Sequence, residues 1–365
     1  MKIAEIISCL ETIAPPYLQE SYDNAGLLTG NAGWECTGAV ISLDVTEDVV
    51  KEAIEKKCNL IVAHHPIIFS GLKKITGKNY VEKTVILAIK NDIAIYAIHT
   101  NLDNVLKGVS GKMADMLGLI DQKILQPKTG LLKKLVTFVP LKEAEKVRTA
   151  IFEAGAGHIG NYSEASFGVE GIGTFKAGEG TNPHVGKIGE RHEEKELKLE
   201  VIFPEWIEGT LIAAMIAAHP YEEVAYDIIP LDNAHQQIGS GVIGKLKEPM
   251  AEIAFFTLVK AVFGLAVIRH TPLLGKSIKK VALCGGAGSF LINTAAASGA
   301  DVYLTGDIKY HEFFDADGRL VVADIGHYES EQYTIDLLFD VLSKKFSNFA
   351  VLKTGVKTNP VHYFR

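Results

Sequence analysis

The sequence predicts an α/β protein in which two similar three-layer α/β/α halves form one discontinuous domain around an inserted α+β domain. Three observations carry this. Short strands that are apolar at every position alternate with amphipathic helices towards both ends of the 365-residue chain, the pattern of parallel sheets covered on both faces. The middle of the chain, about 100 residues, follows a different rhythm of longer, alternating strands. Finally, shifting Ala39–His65 by 242 positions lays it on Val281–Asp307 without a gap, strand on strand and helix on helix. That match lies in hydrophobic pattern and not in residue identity.

Taken in order, Ile3, Ile6, Ile7 and Leu10 recur at helical spacing and stop before Pro15-Pro16, so the chain opens with an amphipathic helix. Ser21 to Gly26 is a turn-rich loop. Ala39 to Leu43 is a strand, and Asp44 with Glu47 supplies a capping signature for a helix that turns Val49, Val50, Ala53 and Ile54 inward. Strand Leu60 to Ala63 follows at once, then His64-His65-Pro66, a helix around Tyr80 to Lys90 and a third strand from Ile93 to Ile98.

Leu125 to Gly130 reads as a linker. Beyond it come a strand at Lys134 to Val139, a helix at Lys142 to Glu153, a hairpin at Ser163 to Lys176, a strand at Lys198 to Phe203, a helix at Ile207 to Ala218 and a strand at Glu223 to Ile229. This βαββαβ order is the ferredoxin-like arrangement. The charge run Arg191 to Glu196 reads as part of a solvated loop, or else an interaction arm. The α/β pattern resumes at Ile238, with strands at Val281 to Leu283, Val302 to Thr305 and Leu320 to Ala323, a helix near Phe290 to Ala297, and a closing helix from Glu329 to Lys345. The expected boundaries are therefore 1–130 and 231–365 for the two α/β halves and 131–230 for the insertion.

Composition narrows the function classes. With 37 basic and 44 acidic residues the chain carries a net charge of -7, so no general positive field attracts a phosphate backbone and nucleic acid is not an expected partner. Cys9, Cys36, Cys58 and Cys284 are scattered without a C-x-x-C pair, which disfavours a disulfide framework and a thiolate metal site and suits a reducing compartment. No secretory signal layout opens the chain, and the longest apolar stretch, Ile253 to Ile268, is broken by Lys260 and is shorter than the ~20 residues of a membrane span. A cytoplasmic protein without a membrane partner is expected.

Ligands of open α/β sheets bind beyond the carboxyl ends of the strands. Here those ends carry His64-His65, His99 to Asp103, Gly306-Asp307 and Asp324 to His327. His327 and Glu331, four residues apart, point the same way if the last helix begins near Gly326. Adjacent residues of an extended stretch diverge, so His64 and His65 are expected to face different ions. A catalytic zinc-type site uses three protein ligands and one open position. His64, His65, Asp103, His327 and Glu331 exceed one such site and serve two if Glu331 bridges. Two ions about 3.5 to 4 Å apart share a water nucleophile. His158, His184, His235, His270 and His362 read as ordinary hydrogen-bonded or surface residues.

These motifs, together with Tyr303 to Asp307, His311, Gly326 to Glu331 and the early Tyr22-Asp23-Asn24-Ala25-Gly26-Leu27, closely resemble the Nif-three-like dinuclear metal-centre family. Its members are labelled GTP cyclohydrolase I type 2 homologues, and the likeness covers nearly the whole chain. The resemblance implies two divalent ions between two α/β halves, held by the residues matching the family motif: His64, His65, Asp103, His327 and Glu331. It also implies a toroidal homohexamer and, for long bacterial members, an insertion similar to PII and CutA-type proteins, as Ala218 to Glu223 suggests.

The site suits a metal-dependent hydrolase of a small-molecule substrate, either cyclohydrolase-like, opening a purine ring at C8, or phosphoesterase-like. The alternative is a non-catalytic metal-binding regulator or scaffold. Nitrogen and oxygen donors without thiolate suit zinc and also manganese, iron, cobalt or nickel. Asp307 and Asp324 are candidates to orient metal-bound imidazoles, and Asp307 and His311 are the catalytic candidates, His311 as a general acid. The glycine run Cys284 to Gly288 lacks the third glycine of a dinucleotide fingerprint and reads as a tight turn in preference to a phosphate cradle.

Overall fold

The computed structural model describes residues 1–364. The chain divides into two compact units, one formed by Met1–Pro127 with Gln237–Arg365 and the other by Lys128–Gln236.

Among the described residues, the first unit holds two mixed sheets. One runs in the order Gly26–Thr29, Ala94–Ala97, Leu60–Ala63, Ala39–Ser42, Val351–Lys353; the last four strands are parallel and Gly26–Thr29 is antiparallel at the edge. Every residue of Ala39–Ser42, Leu60–Ala63 and Ala94–Ala97 is buried. Both faces are covered: Ile3, Ile6, Leu10, Leu338 and Leu342 pack on one, and Val49, Val50, Ala53, Val85 and Ala88 on the other. This is why these strands lack polar alternation.

The second sheet runs Arg269–His270, Val321–Asp324, Val302–Gly306, Ser277–Ala287, Gly239–Ala251, Ile120–Pro127. Its Ser277–Ala287, Val302–Gly306 and Val321–Asp324 strands are parallel, again with an antiparallel strand next to the last of them. The order of an antiparallel edge followed by three parallel strands thus occurs in both sheets. Phe255, Val259 and Phe263 cover one face and Leu291, Ile292 and Ala295 the other.

The second unit has the order strand Leu132–Pro140, helix Ala144–Glu153, strands Ser166–Lys176 and Arg191–Pro204, helix Glu208–Ala218, strand Tyr226–Leu231. Its antiparallel sheet is ordered Ser166–Lys176, Arg191–Pro204, Leu132–Pro140, Tyr226–Leu231. Both helices pack on one face through Val147, Ile151, Leu211 and Met215 against Leu135, Leu199 and Val201.

Several local expectations are corrected. Leu125–Pro127 belongs to a strand, Ile120–Pro127, whose exposed positions mask its pairing with Gly239–Ala251. Ser166–Lys176 is one strand of a long hairpin and not a hairpin itself; its partner is Arg191–Pro204, so the charge run Arg191–Glu196 is strand. The helix after Leu43 is capped by Thr46, whose Oγ1 accepts from Val49 N at 3.3 Å, and not by Asp44. The closing helix is two, His327–Glu331 and Thr334–Lys345. No helix among the described residues is long and apolar enough to cross a membrane.

Candidate metal centre

The carboxyl ends of Leu60–Ala63, Ala94–Ala97 and Val321–Asp324 deliver histidines and carboxylates from opposite ends of the chain to one place. His64 is fully buried, and its Nδ1 donates to the Ile98 carbonyl at 2.8 Å, which leaves Nε2 as the lone-pair atom. That atom lies 3.6 Å from Asp103 Oδ1 and 3.8 Å from Glu331 Oε1. His65 Nε2 sits 2.9 Å from Glu331 Oε2 and 3.3 Å from His327 Nε2, and His327 Nε2 is 3.0 Å from the same oxygen. The i,i+4 pair His327 and Glu331 therefore meets on one helical face, as their spacing requires.

Three sets of side chains have ligand atoms mutually within 4.8 Å: His64, His65 and His99; His65, His327 and Glu331; His64, Asp103 and Glu331. Each could hold a metal ion. Glu331 belongs to two of them, with Oε1 towards His64 and Oε2 towards His65 and His327. His64 Nε2 and Asp103 Oδ1 are buried without a hydrogen-bond partner among the described residues. A buried acceptor pair left unsatisfied is costly, and a cation between them would satisfy both.

The electrostatics agree. Burial alone would raise the Glu331 carboxyl, but the imidazoles of His327, His64 and His65 hold it well below the ordinary range. Burial pushes Asp103 up, only partly opposed by His64. Burial pulls His65 down, yet Asp44 and Glu331 outweigh it and raise the ring to about 10; likewise Glu331 and Asp307 raise His327 to about 9. A cluster tuned this way, beside a cavity of about 450 Å³ lined by His65, His327, Asp44 and Arg269, is a candidate functional site.

Each ring nitrogen turned away from the cluster has a fixed partner. His65 Nδ1 meets Asp44 Oδ1 at 2.8 Å, His99 Nδ1 meets Asp23 Oδ1 at 2.7 Å and His327 Nδ1 meets Asp307 Oδ2 at 2.7 Å. Such carboxylates set tautomer and ring orientation. Asp307 takes this part, from a left-handed backbone with φ 56°. Asp324 does not: it accepts from Arg269 at 2.8 Å and from the backbone N–H groups of Ile308 and Gly326, and so ties the neighbouring loops. His311 is exposed against Tyr310 and Phe314, with no hydrogen bond or ion pair to the cluster among the described residues.

His64 and His65 do not diverge as expected, because the strand ends at Ala63 and the chain bends through both; their ring centroids are 4.9 Å apart. Asp44 and Asp23 were missed as members of the site, and His99, placed at a strand end, was not counted among the ligands. Asp44 follows a strand as His64 does, but its capping signature assigned it to the helix, and Asp23 lies within the turn-rich loop Ser21 to Gly26. The glycine run also acquires a purpose. Gly286 has φ +63°, and a Cβ there would strike Glu331 Oε1 and lie 3.4 Å from His327 Cε1. Gly286→Ala is expected to lower metal occupancy measured by mass spectrometry while leaving far-ultraviolet circular dichroism unchanged; full occupancy would show that Glu331 tolerates the intrusion.

The model of the Duf34/NIF3 (NGG1p interacting factor 3) family matches residues 1–360. The chain belongs to the Duf34/NIF3 family. Among Duf34/NIF3 relatives, a Halalkalibacterium halodurans protein named GTP cyclohydrolase 1 type 2 homolog is 43% identical, covering 99% of both chains. A Bacillus subtilis protein of the same name is 41% identical over 98% of this chain and 97% of its own. Of solved structures, a Bacillus cereus protein related to NIF3 matches with a TM-score of 0.87 at 40% identity, covering 100% of this chain and 99% of the other. The Staphylococcus aureus protein SA1388 matches with 0.79 at 29% identity and the same coverage.

Proposed function

We propose that this Duf34/NIF3 protein is a dinuclear metal-dependent hydrolase. The observation that carries the reading is Glu331, whose two oxygens each face a different set of ligands, one of which contains the unsatisfied His64 Nε2 and Asp103 Oδ1. His64, Asp103 and Glu331 Oε1 would hold one ion, and His65, His327 and Glu331 Oε2 the other. His99 adjoins His64 and His65 as a further donor. The donors are nitrogen and oxygen, and no cysteine belongs to any of the three sets among the described residues. This set suits zinc, manganese, iron, cobalt or nickel.

When bound, such a pair of ions supplies an activated water and neutralises charge developing on a carbonyl, phosphoryl or ring-carbon centre. The chain's own part is to position and to fix protons. Asp44, Asp23 and Asp307 hold the outward nitrogens of His65, His99 and His327, so the lone pairs of the inward nitrogens converge. The cavity beside His65 and His327 gives a small substrate room. The cyclohydrolase name of the relatives places hydrolytic opening of a purine at C8 within the class of reactions to try.

The discriminating experiment incubates metal-loaded protein with GTP, a carboxylic ester, a phosphomonoester and a phosphodiester. Turnover of one of them that disappears with chelation and returns with metal is expected. Absence of turnover by a protein containing two equivalents of metal would favour a regulator or scaffold. Metal content below about one equivalent per chain would overturn the dinuclear centre.

The element order and one-sided helix packing of Lys128–Gln236 support reading it as a ferredoxin-like domain of the PII and CutA kind. A homohexamer is proposed on the family resemblance alone. Light scattering should give about six times the 39.6 kDa chain mass.

A further inference from the structure

The unit Lys128–Gln236 contains a cavity of about 630 Å³ that has no part in the metal centre. That volume falls in the range of small-molecule sites. Its walls come from the long hairpin, the loop before Arg191 and the turn after helix Glu208–Ala218, and the lining is mostly apolar. The loop is tied to that turn, since Asn182 N donates to Glu222 Oε1 at 2.9 Å.

Two features define what this cavity would accept. The first is aromatic. Phe138, Phe175, His184 and Tyr221 all line it, with the Tyr221 ring centroid 6.1 Å from that of Phe175 and 6.2 Å from that of His184. At these separations Tyr221 is in tilted contact with both rings, so the three form a continuous aromatic patch of the cavity wall.

The second is a carboxylate without a counter-charge. Glu196 is only 8% exposed and lines the cavity. Its Oε1 accepts from Tyr221 Oη at 2.8 Å, and it makes no ion pair among the described residues. The one cationic side chain of the lining, Lys198, is held by Glu200 at 2.7 Å. Glu170, Glu222 and Glu223 add further negative charge to the walls. Buried carboxylates are ordinarily paired, so a ligand cation would complete this one.

The glycines of the hairpin fit the same reading. A side chain at Gly173 would collide with the Glu196 carboxylate, so its absence lets Glu196 lie flat on the strand. Gly171 faces open space: a Cβ there would meet nothing within 4 Å. An aromatic patch beside one buried carboxylate in a mostly apolar cavity is a composition that suits organic ammonium groups. We infer that this cavity binds a small organic ammonium compound, with its cationic head against Glu196 and the aromatic rings and its apolar body along the hairpin.

The test is isothermal titration calorimetry on the full-length protein with benzyltrimethylammonium, and with phenylacetate as the oppositely charged control. The ammonium probe is expected to bind with Kd below about 1 mM, and phenylacetate at least about tenfold more weakly. Glu196→Gln keeps the acceptor for Tyr221 and removes the charge; it should weaken the ammonium probe about tenfold. Gly171→Leu fills a space that nothing occupies and should abolish binding, and circular dichroism of both variants should match the parent. Equal affinity for the two probes, no binding of the ammonium probe at about 10 mM, or unchanged affinity in both variants would each overturn the assignment.

Discussion

Replacing Glu331 and His99 together with alanine should strip the protein of both metal ions. The Glu331 side chain is buried and its two oxygens face different ligand sets, and His99 belongs to the third, so no set keeps three donors once both are gone: what remains is His64 with Asp103, His65 with His327, and His64 with His65. Three protein ligands are the usual minimum for a site that also holds a water. Metal measured by mass spectrometry is expected to fall from about two equivalents per chain to below about 0.2. Asp103→Ala should behave differently, because Asp103 belongs to one set only; one equivalent should remain. If the double variant retained one tightly held ion while Asp103→Ala lost both, the shared ligand would be Asp103 and the bridge would be misassigned.

The pH response of the protein should reverse sign when metal is removed. In the metal-free state His65 is raised from 6.5 to about 10 and His327 from 6.5 to about 9. A folded-state value above the unfolded one contributes stability that is complete below about pH 6.5 and is lost as pH rises through 9 to 10. Glu331, lowered well below 4.5, contributes stability present above that value and lost as pH falls through its folded value. The chelated protein should therefore melt at progressively lower temperature from pH 6.5 to 9. Metal requires neutral imidazoles, so loading at pH 7 must expel a proton from each of these two rings, and affinity should climb over the same interval. The loaded protein should gain melting temperature where the chelated one loses it. Calorimetry in buffers of different ionisation enthalpy should give about two protons released per chain at pH 7. Release of none would mean that both rings are already neutral.

How much of this was legible in the sequence differs from element to element. Leu60–Ala63 and Val302–Gly306 could be found because a strand buried on both faces has no polar position to confuse the reading. His327 and Glu331 could be paired because helical spacing is a local property. Ile120–Pro127 was hidden, since only Ile124 and Leu125 of its eight residues are buried, and a strand defined by its neighbours looks like a linker when read alone. The hairpin arm at Arg191–Glu196 was hidden for the opposite reason: charge density suggested a loop, although exposure alternates along it with the period of a strand. Asp44 had the local credentials of a helix cap, and only the approach of His65 assigns its carboxylate elsewhere. Contacts that join distant segments leave no periodic trace.

The order in which the ligands leave the ribosome follows from where they sit. His64, His65 and His99, one complete set, are made early, whereas His327 and Glu331 belong to the last tenth or so of the chain. At ordinary synthesis rates roughly tens of seconds separate the two groups. A nascent chain would thus own a three-histidine site, able to take an ion from its surroundings, well before the carboxylate that should govern the finished centre exists.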